Sequence, residues 1–287
     1  MNKYKVYVDL SADIELEFAK NNDIGFIPMQ YSLGDDFRTS SFVETDEVLK
    51  AFYDSQRKGD LTKTTQITPF AYEELLSPVL ESGVSVLYLP LSSGLSQTYN
   101  SALLAKRNLK EKYPNVDLVV VDSLAATGGL GVLASKAIEN QKNGMSLEEN
   151  AKVMTEYVKR IKHWFSVEDL MYLKRGGRIS GATAILGSAL KIKPILTINE
   201  EGKLDTIAKK HGTKQAISYL VDRFFETRDE NEKCVYICHA DCIENANMLK
   251  EKVLEKDSAL EIHICMLSPI IGAHTGPGMC AICHFGK

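Results

Sequence analysis

Two near-continuous apolar runs, at residues 84–89 and 116–121, are each flanked by stretches of helical spacing, and few folds accommodate that pattern. A run without polar alternation is a strand covered on both faces, the environment of a parallel sheet with helices packed on each side. The surrounding chain keeps the same rhythm. Residues 5–8 form a short β-rich run ending in Asp9, 11–20 carry Ile14, Phe18 and Ala19 at helical spacing, and 25–31 return to strand. Residues 45–53 read as a helix with Asp46 and Glu47 in the first turn, where the helix dipole favours acids. Further helices are predicted at 96–112, 125–140 and 146–162. This alternation predicts a mostly parallel α/β sheet with ligands at the carboxyl ends of its strands.

Beyond Lys162 the texture changes. Residues 164–167 read as a strand and 169–174 as a short helix, followed by the joint Arg175-Gly176-Gly177-Arg178. Residues 192–198 and 204–209 form a predicted hairpin about Glu200-Glu201-Gly202. Helix is expected at 214–227 and 243–254, and strand at 234–238, 261–267 and 279–285. That is an α+β pattern of paired strands backed by helices. With 287 residues the chain exceeds one typical domain. Two lobes are expected, an α/β lobe at 1–162 and a two-layer α+β lobe at 163–287, with the ligand cleft between them and the segment 269–287 contributing to it.

Composition narrows the function. Hydrophobic residues make up 44% and charged residues 25%, the proportions of a globular protein, and the formal charge of −4 comes without a long Lys/Arg block. A chain so mildly acidic is a poor partner for nucleic acid. The start, Met1 to Asp9, is too short and polar for a signal peptide, and no stretch approaches the ~20 apolar residues of a spanning helix, so the cytoplasm is the expected compartment. The six cysteines, all between 234 and 283, are then expected as free thiols. Cys280, Cys283 and His284 match the spacing of covalent haem attachment, but on a strand the two thiols point to opposite faces, and neither a haem nor a metal site is expected.

Three polar clusters could carry chemistry. His274 and Thr275 lie in Pro269-Ile-Ile-Gly272-Ala-His-Thr-Gly276-Pro277-Gly278, where glycine and proline are expected to frame an imidazole and a hydroxyl in a rigid turn beside the apolar strand 279–285. A polar grip against an apolar wall suits an amphiphile with an acidic end. Ser92, Ser93, Gly94, Ser96 and Thr98 follow the first buried run, and hydroxyls with backbone N–H groups at a helix start make an anion site, or simply a cap. Thr62, Thr64 and Thr65 precede Thr68-Pro69, itself the signature of a capped helix start. The order Ser93 or Ser96, Asp122, His274 is also that of an α/β-hydrolase triad, although Gly94-Leu-Ser96-Gln-Thr98 lacks the closing glycine of the nucleophile elbow. Arg175, Arg178 and the basic group Lys203, Lys209, Lys210, His211, Lys214 offer a docking face for a phosphate-bearing partner or a membrane surface.

Taken together the chain resembles the DegV family of bacterial fatty acid-binding proteins over almost its whole length. The resemblance rests on Asp9-Leu-Ser-Ala-Asp13, Thr64-Thr65-Gln66, the segment 91–99, the segment 173–180 and Gly272-Ala-His274-Thr275-Gly276-Pro277-Gly278. Ile67 stands where the family has proline, Gln97 where it has glycine, and His211 and Thr213 fall where it often has arginine. The resemblance implies a non-catalytic carrier without a cofactor, holding one long-chain fatty acid between two lobes. It further implies that the acid is offered to a separate fatty acid kinase, and that the acyl phosphate feeds phospholipid synthesis. Carried onto this chain, Thr64 or Thr65, Ser93 and Gly94, Arg178, His274 and Thr275 would meet the carboxylate, with a protonated His274 helping to neutralise it. By pattern, Ile185, Leu186 and Leu190, with Phe26 and Ile27 opposite, are the candidates for the tail wall.

Overall fold

The computed structural model describes residues 4–40, 44–179 and 192–287. The chain opens with β1 (Tyr4–Asp9), α1 (Leu16–Asn21) and β2 (Gly25–Ile27), then forms β3 (Gln30–Leu33), β4 (Asp36–Thr39), α2 (Asp46–Arg57) and β5 (Thr62–Thr65). It continues through α3 (Pro69–Glu81), β6 (Ser85–Leu89), α4 (Thr98–Lys112), β7 (Leu118–Val120), α5 (Gly128–Lys142) and α6 (Leu147–Tyr157). The second lobe comprises β8 (Ile161–Ser166), α7 (Met171–Arg175), β9 (Ile192–Ile198), β10 (Leu204–His211), α8 (Thr213–Thr227), β11 (Cys234–His239), α9 (Ile243–Lys256), β12 (Glu261–Met266), α10 (Pro269–Thr275) and β13 (Cys280–Phe285).

The first lobe has the expected parallel sheet, in the order β2-β1-β6-β7, with every residue of β6 buried. The second lobe is built on a mixed sheet ordered β10-β9-β8-β13-β11-β12, antiparallel except for β11 against β12. The last strand therefore occupies the middle of its sheet, and α10, which feeds it, is drawn into the space between the lobes. Helix α5 lies between the two sheets and is buried through Gly128–Ala134 because glycines face the second sheet: a Cβ on Gly129 would overlap the His163 ring. One core runs from β1 and β6 through α5 to Phe165, Cys283 and Phe285, and a second, under α8 and α9, takes Trp164, Ile237, Cys280 and Ile282. Cys280 and Cys283 thus face opposite sides of the sheet, and all six cysteines are free. Among the described residues no helix is long and apolar enough to cross a membrane.

Four elements differ from expectation. The segment 25–31 is not one strand: β2 stays in the parallel sheet while β3 turns away to form an antiparallel sheet ordered β4-β3-β5. The first helix begins only at Leu16, because Ser11 and Asp13 spend their polar groups tying down the loop after β1. The helix expected to reach Lys162 stops at Tyr157, passes through a short 3₁₀ turn and becomes β8 at Ile161. The segment holding His274 and Thr275 is a helical turn of the chain, not an irregular one: Pro269 starts α10 and Gly276, at φ 71°, ends it.

A polar site between the lobes

The loop leaving β6 is held by buried groups. Asp9 accepts a hydrogen bond from Leu91 N at 2.8 Å and from the Tyr88 hydroxyl at 3.2 Å, and burial raises its pKa despite them. Ser92 N donates to Ala125 O at 2.9 Å, and the Ser92 hydroxyl donates to Gly202 O at 2.8 Å, joining this loop to the β9–β10 turn. Ser93 N donates to Asp122 Oδ1 at 3.0 Å. Gly94 is glycine for a packing reason, since a Cβ there would stand 2.6 Å from the backbone of Glu201 and Gly202. The Ser96 hydroxyl donates to Thr98 Oγ1 at 2.9 Å.

Opposite this loop, β5 and α10 bring two predicted residues together. Thr64 Oγ1 and His274 Nε2 are hydrogen-bonded at 2.7 Å across 210 positions of sequence. Successive side chains of a strand point to opposite faces, so Thr65 looks away from His274 and its hydroxyl donates to Gln30 Oε1 at 3.3 Å. Of the two threonines, the structure brings Thr64 to the imidazole. Thr275 is buried, with its hydroxyl donating back to Ile271 O at 3.3 Å along its own helix. The end of α7 closes over the ring, and a Cβ on Gly176 would come within 2.4 Å of His274 Nδ1.

Arg178, just beyond, donates through Nε to Leu95 O at 3.1 Å and through Nη1 to Gly176 O. It links the β6 loop to the α7 turn and places a guanidinium beside the imidazole. Burial, with the charge of Arg178 adding to it, pushes the His274 pKa down to about 4. Against the expected protonated His274, the fold by itself holds the ring neutral at pH 7 before a carboxylate arrives, and the positive charge resides on Arg178, whose own pKa burial lowers. His274 Nδ1 is buried without a hydrogen-bond partner among the described residues.

Thr64, Arg178 and His274 stand where two spaces meet. Inward lies an apolar cavity, with about 70 Å³ open to the centre of a water-sized sphere, walled by such side chains as Leu91, Leu95, Phe165, Leu173, Ile270 and Met279. An apolar lining of this kind suits an alkyl chain better than a polar ligand. Outward lies a wider vestibule shared by the same three residues and by Asp60, Lys63, Tyr172 and Arg175. Thr275 and Ser96 also line the inner cavity, whereas Phe26 and Ile27 do not. Both belong to β2, and Ile27 packs into the core of the parallel sheet, so the tail wall expected there is corrected. Met29, two residues on, turns into the cavity instead. Ile185, Leu186 and Leu190 lie outside the described residues. The apolar strand expected at 279–285 does line the cavity as β13; sequence reasoning missed the wall supplied by β8, although Ile161, His163 and Phe165 share one face of the second sheet with Ala281, Cys283 and Phe285.

The hydrolase arrangement does not form. Asp122 Oδ1 accepts from the backbone of Ser93 and Leu124, and His274 pairs with Thr64 while no carboxylate orients its other nitrogen. A nucleophile, base and orienting acid in sequence are what that chemistry needs.

The model of the family described as "Uncharacterised protein, DegV family COG1307" matches residues 3–287. The DegV domain-containing protein CPE0026 of Clostridium perfringens is 36% identical over 288 residues, covering 100% of this chain and 98% of that protein. Among solved structures, the Bacillus subtilis DegV described as a fatty acid binding protein superposes with a TM-score of 0.86 at 30% identity, covering 100% of both chains. A Thermus thermophilus DegV family protein described by its fatty acid binding gives a TM-score of 0.86 at 27% identity, over 99% of this chain and 100% of that one. With a match over nearly its full length to the family, and a fold that superposes on these solved structures over almost the whole chain, the chain belongs to the DegV family.

Proposed function

We propose that this protein binds one long-chain fatty acid between a lobe at 1–162 and a lobe at 163–287, without catalysing a reaction itself. The observation that carries this reading is the placing of Thr64, Arg178 and His274 at the junction of an apolar cavity and a wider, cationic vestibule. A tail in the inner cavity gains ~0.8 kcal/mol per buried CH₂. A carboxylate so close to buried surface needs donors and a counter-charge. The Thr64 hydroxyl, the imidazole and the Arg178 guanidinium supply these, and charge-assisted hydrogen bonds are worth roughly 1.5–3 kcal/mol each. Ser93, Gly94 and Thr275 act on this reading by shaping the loop and helix around the headgroup. The fatty acid binding of the Bacillus and Thermus relatives supports the same assignment.

The vestibule gives the carboxylate a route to a second protein. Lys63, Arg175 and Arg178 surround it with positive charge, suited to a phosphorylated headgroup and so to hand-off to a separate fatty acid kinase. The exposed basic residues of β10, among them Lys209 and His211, suit a transient encounter with an anionic membrane surface.

The test is to extract and weigh the ligand. Mass spectrometry of freshly purified protein is expected to show close to one fatty acid per chain, and a His274→Ala variant to retain much less. Wild-type protein that neither carries nor takes up a fatty acid would overturn the proposal.

A further inference from the structure

Helix α10 belongs by chain to the second lobe, between β12 and β13, but the first lobe holds it in place. Tyr53 Oη donates to Leu267 O at 2.9 Å, Gln56 Nε2 to Gly272 O at 3.0 Å and Thr62 Oγ1 to Ala273 O at 3.2 Å. At its start, Ser268 N donates to Asp13 Oδ1 at 2.7 Å, and the Ser268 hydroxyl donates to Leu10 O at 3.0 Å. At its end stands His274, against Thr64. Seven residues make a helix too short to persist by itself, so its position is set by these outside contacts.

The start of α10 is unusual in its capping. Ser268 sits at the N-cap with extended backbone, but its side chain caps nothing in the helix, because its hydroxyl is turned to Leu10. An acid brought from 255 positions away occupies that end instead. Asp13 is buried, and its Oδ1 accepts the Ser268 N–H, a bond that survives although burial raises its pKa to about 7. Its partner in the same opening motif, Asp9, holds Leu91 at the start of the other site segment. The two acids of Asp9-Leu-Ser-Ala-Asp13 therefore each fix one side of the headgroup pocket.

Building on the fatty acid reading, we propose that Asp13 is a positioning residue for carboxylate binding: it anchors Ser268 and, through α10, sets where His274 stands against Thr64. Asp13 itself does not touch the ligand. Its contribution falls mainly on the headgroup: α10 also lends Ile270 and Ile271 to the cavity wall, but the walls from β8 and β13 do not depend on Ser268.

The experiment compares hexadecanoic acid with hexadecanol, which shares the tail and lacks the carboxylate, on delipidated full-length protein. Asp13→Ala is expected to weaken acid binding about tenfold, the loss of one charge-assisted contact at the headgroup, while alcohol binding stays within about twofold. Asp13→Asn keeps an oxygen that can accept from Ser268 N and should restore most of the acid affinity. By NMR, His274 in Asp13→Ala should titrate closer to an ordinary histidine than its value of about 4, while His284, buried against Thr227 and Phe224 at about 3, should not move. That contrast separates positioning from general loosening of the fold. Should Asp13→Ala fail to fold, Ser268→Pro removes the same donor at a backbone φ of −61° that proline adopts, and should give the same acid-selective loss. Equal loss for acid and alcohol, or unchanged acid affinity with an unmoved His274, would overturn the proposal. A wild-type chain that binds neither compound would instead sink the fatty acid reading on which it rests.

Discussion

Replacing Gly176 by alanine tests the headgroup site without removing any polar group from it. The glycine has φ −69° and ψ −15°, ordinary helical values, so alanine brings no backbone strain. Its cost is local: the new Cβ would sit 2.4 Å from His274 Nδ1. Ordinary contact requires ~3.5 Å, so the imidazole must retreat by about 1 Å. The Thr64–His274 bond, now 2.7 Å, then opens past the reach of a hydrogen bond. Losing one such bond at a buried site costs roughly 1–3 kcal/mol, or about 5- to 150-fold in affinity for a carboxylate held there. The assay is isothermal titration of hexadecanoic acid into delipidated protein. Gly177→Ala is the control, because its Cβ would meet nothing within 4 Å while its φ of 72° strains any other residue. It should lower the melting temperature yet leave the affinity alone. Equal affinities for Gly176→Ala and wild type would refute the argument that this glycine exists to seat the imidazole.

Two other outcomes follow from the same geometry. Thr64→Val, which keeps shape and removes the hydroxyl, should reduce fatty acid affinity by about tenfold, while Thr65→Val, on the other face of β5, should change it less than about twofold; titration of both variants decides between them. Burial holds His163 and His274 at about 4 and His284 at about 3, so the unfolded chain, with histidines near 6.5, binds protons that the native one refuses, and stability falls as pH drops from 6.5 toward 4. Asp13, raised by burial to about 7, and Asp9, raised for the same reason, work in the opposite direction, while the lowered His239 adds to the loss; NMR titration of the rings checks the reading, and any of His163, His274 or His284 titrating near 6.5 would contradict their neutral burial.

How far the fold was legible depended on where its hydrogen bonds close. The parallel sheet could be read because β6 is an all-buried run flanked by helices. The β9–β10 hairpin could be read because Gly202 sits at a turn, here with φ 73°. The antiparallel sheet of β3, β4 and β5 could not, because its strands are four residues each, β4 is wholly exposed, and Thr62–Thr65 is a polar strand with no apolar alternation. Nor could α10: Gly272 inside it argues against a helix on propensity, yet a side chain there would collide with the Tyr53 hydroxyl, so tertiary packing overrides the local preference.

The site was legible as a set of residues and illegible as an electrostatic arrangement. Motif order picked out Thr64, Arg178 and His274, but two features of their arrangement need coordinates. Thr65 faces away from His274 by the two-residue period of β5, which a short polar strand does not announce. The charge on His274 is disfavoured by its surroundings: a half-buried ring against Gly176, Thr64 and the Arg178 guanidinium has lost much of its water and gained a like charge. A carboxylate entering this pocket therefore meets a permanent cation and two neutral hydrogen-bonding groups. Such a pocket can bind the anion without a proton leaving or entering His274, and its grip should vary little across the pH range in which free histidine titrates. A steep change in affinity centred near pH 6.5 would mean that the imidazole binds as a cation after all, with the incoming carboxylate, and not the fold, deciding its charge.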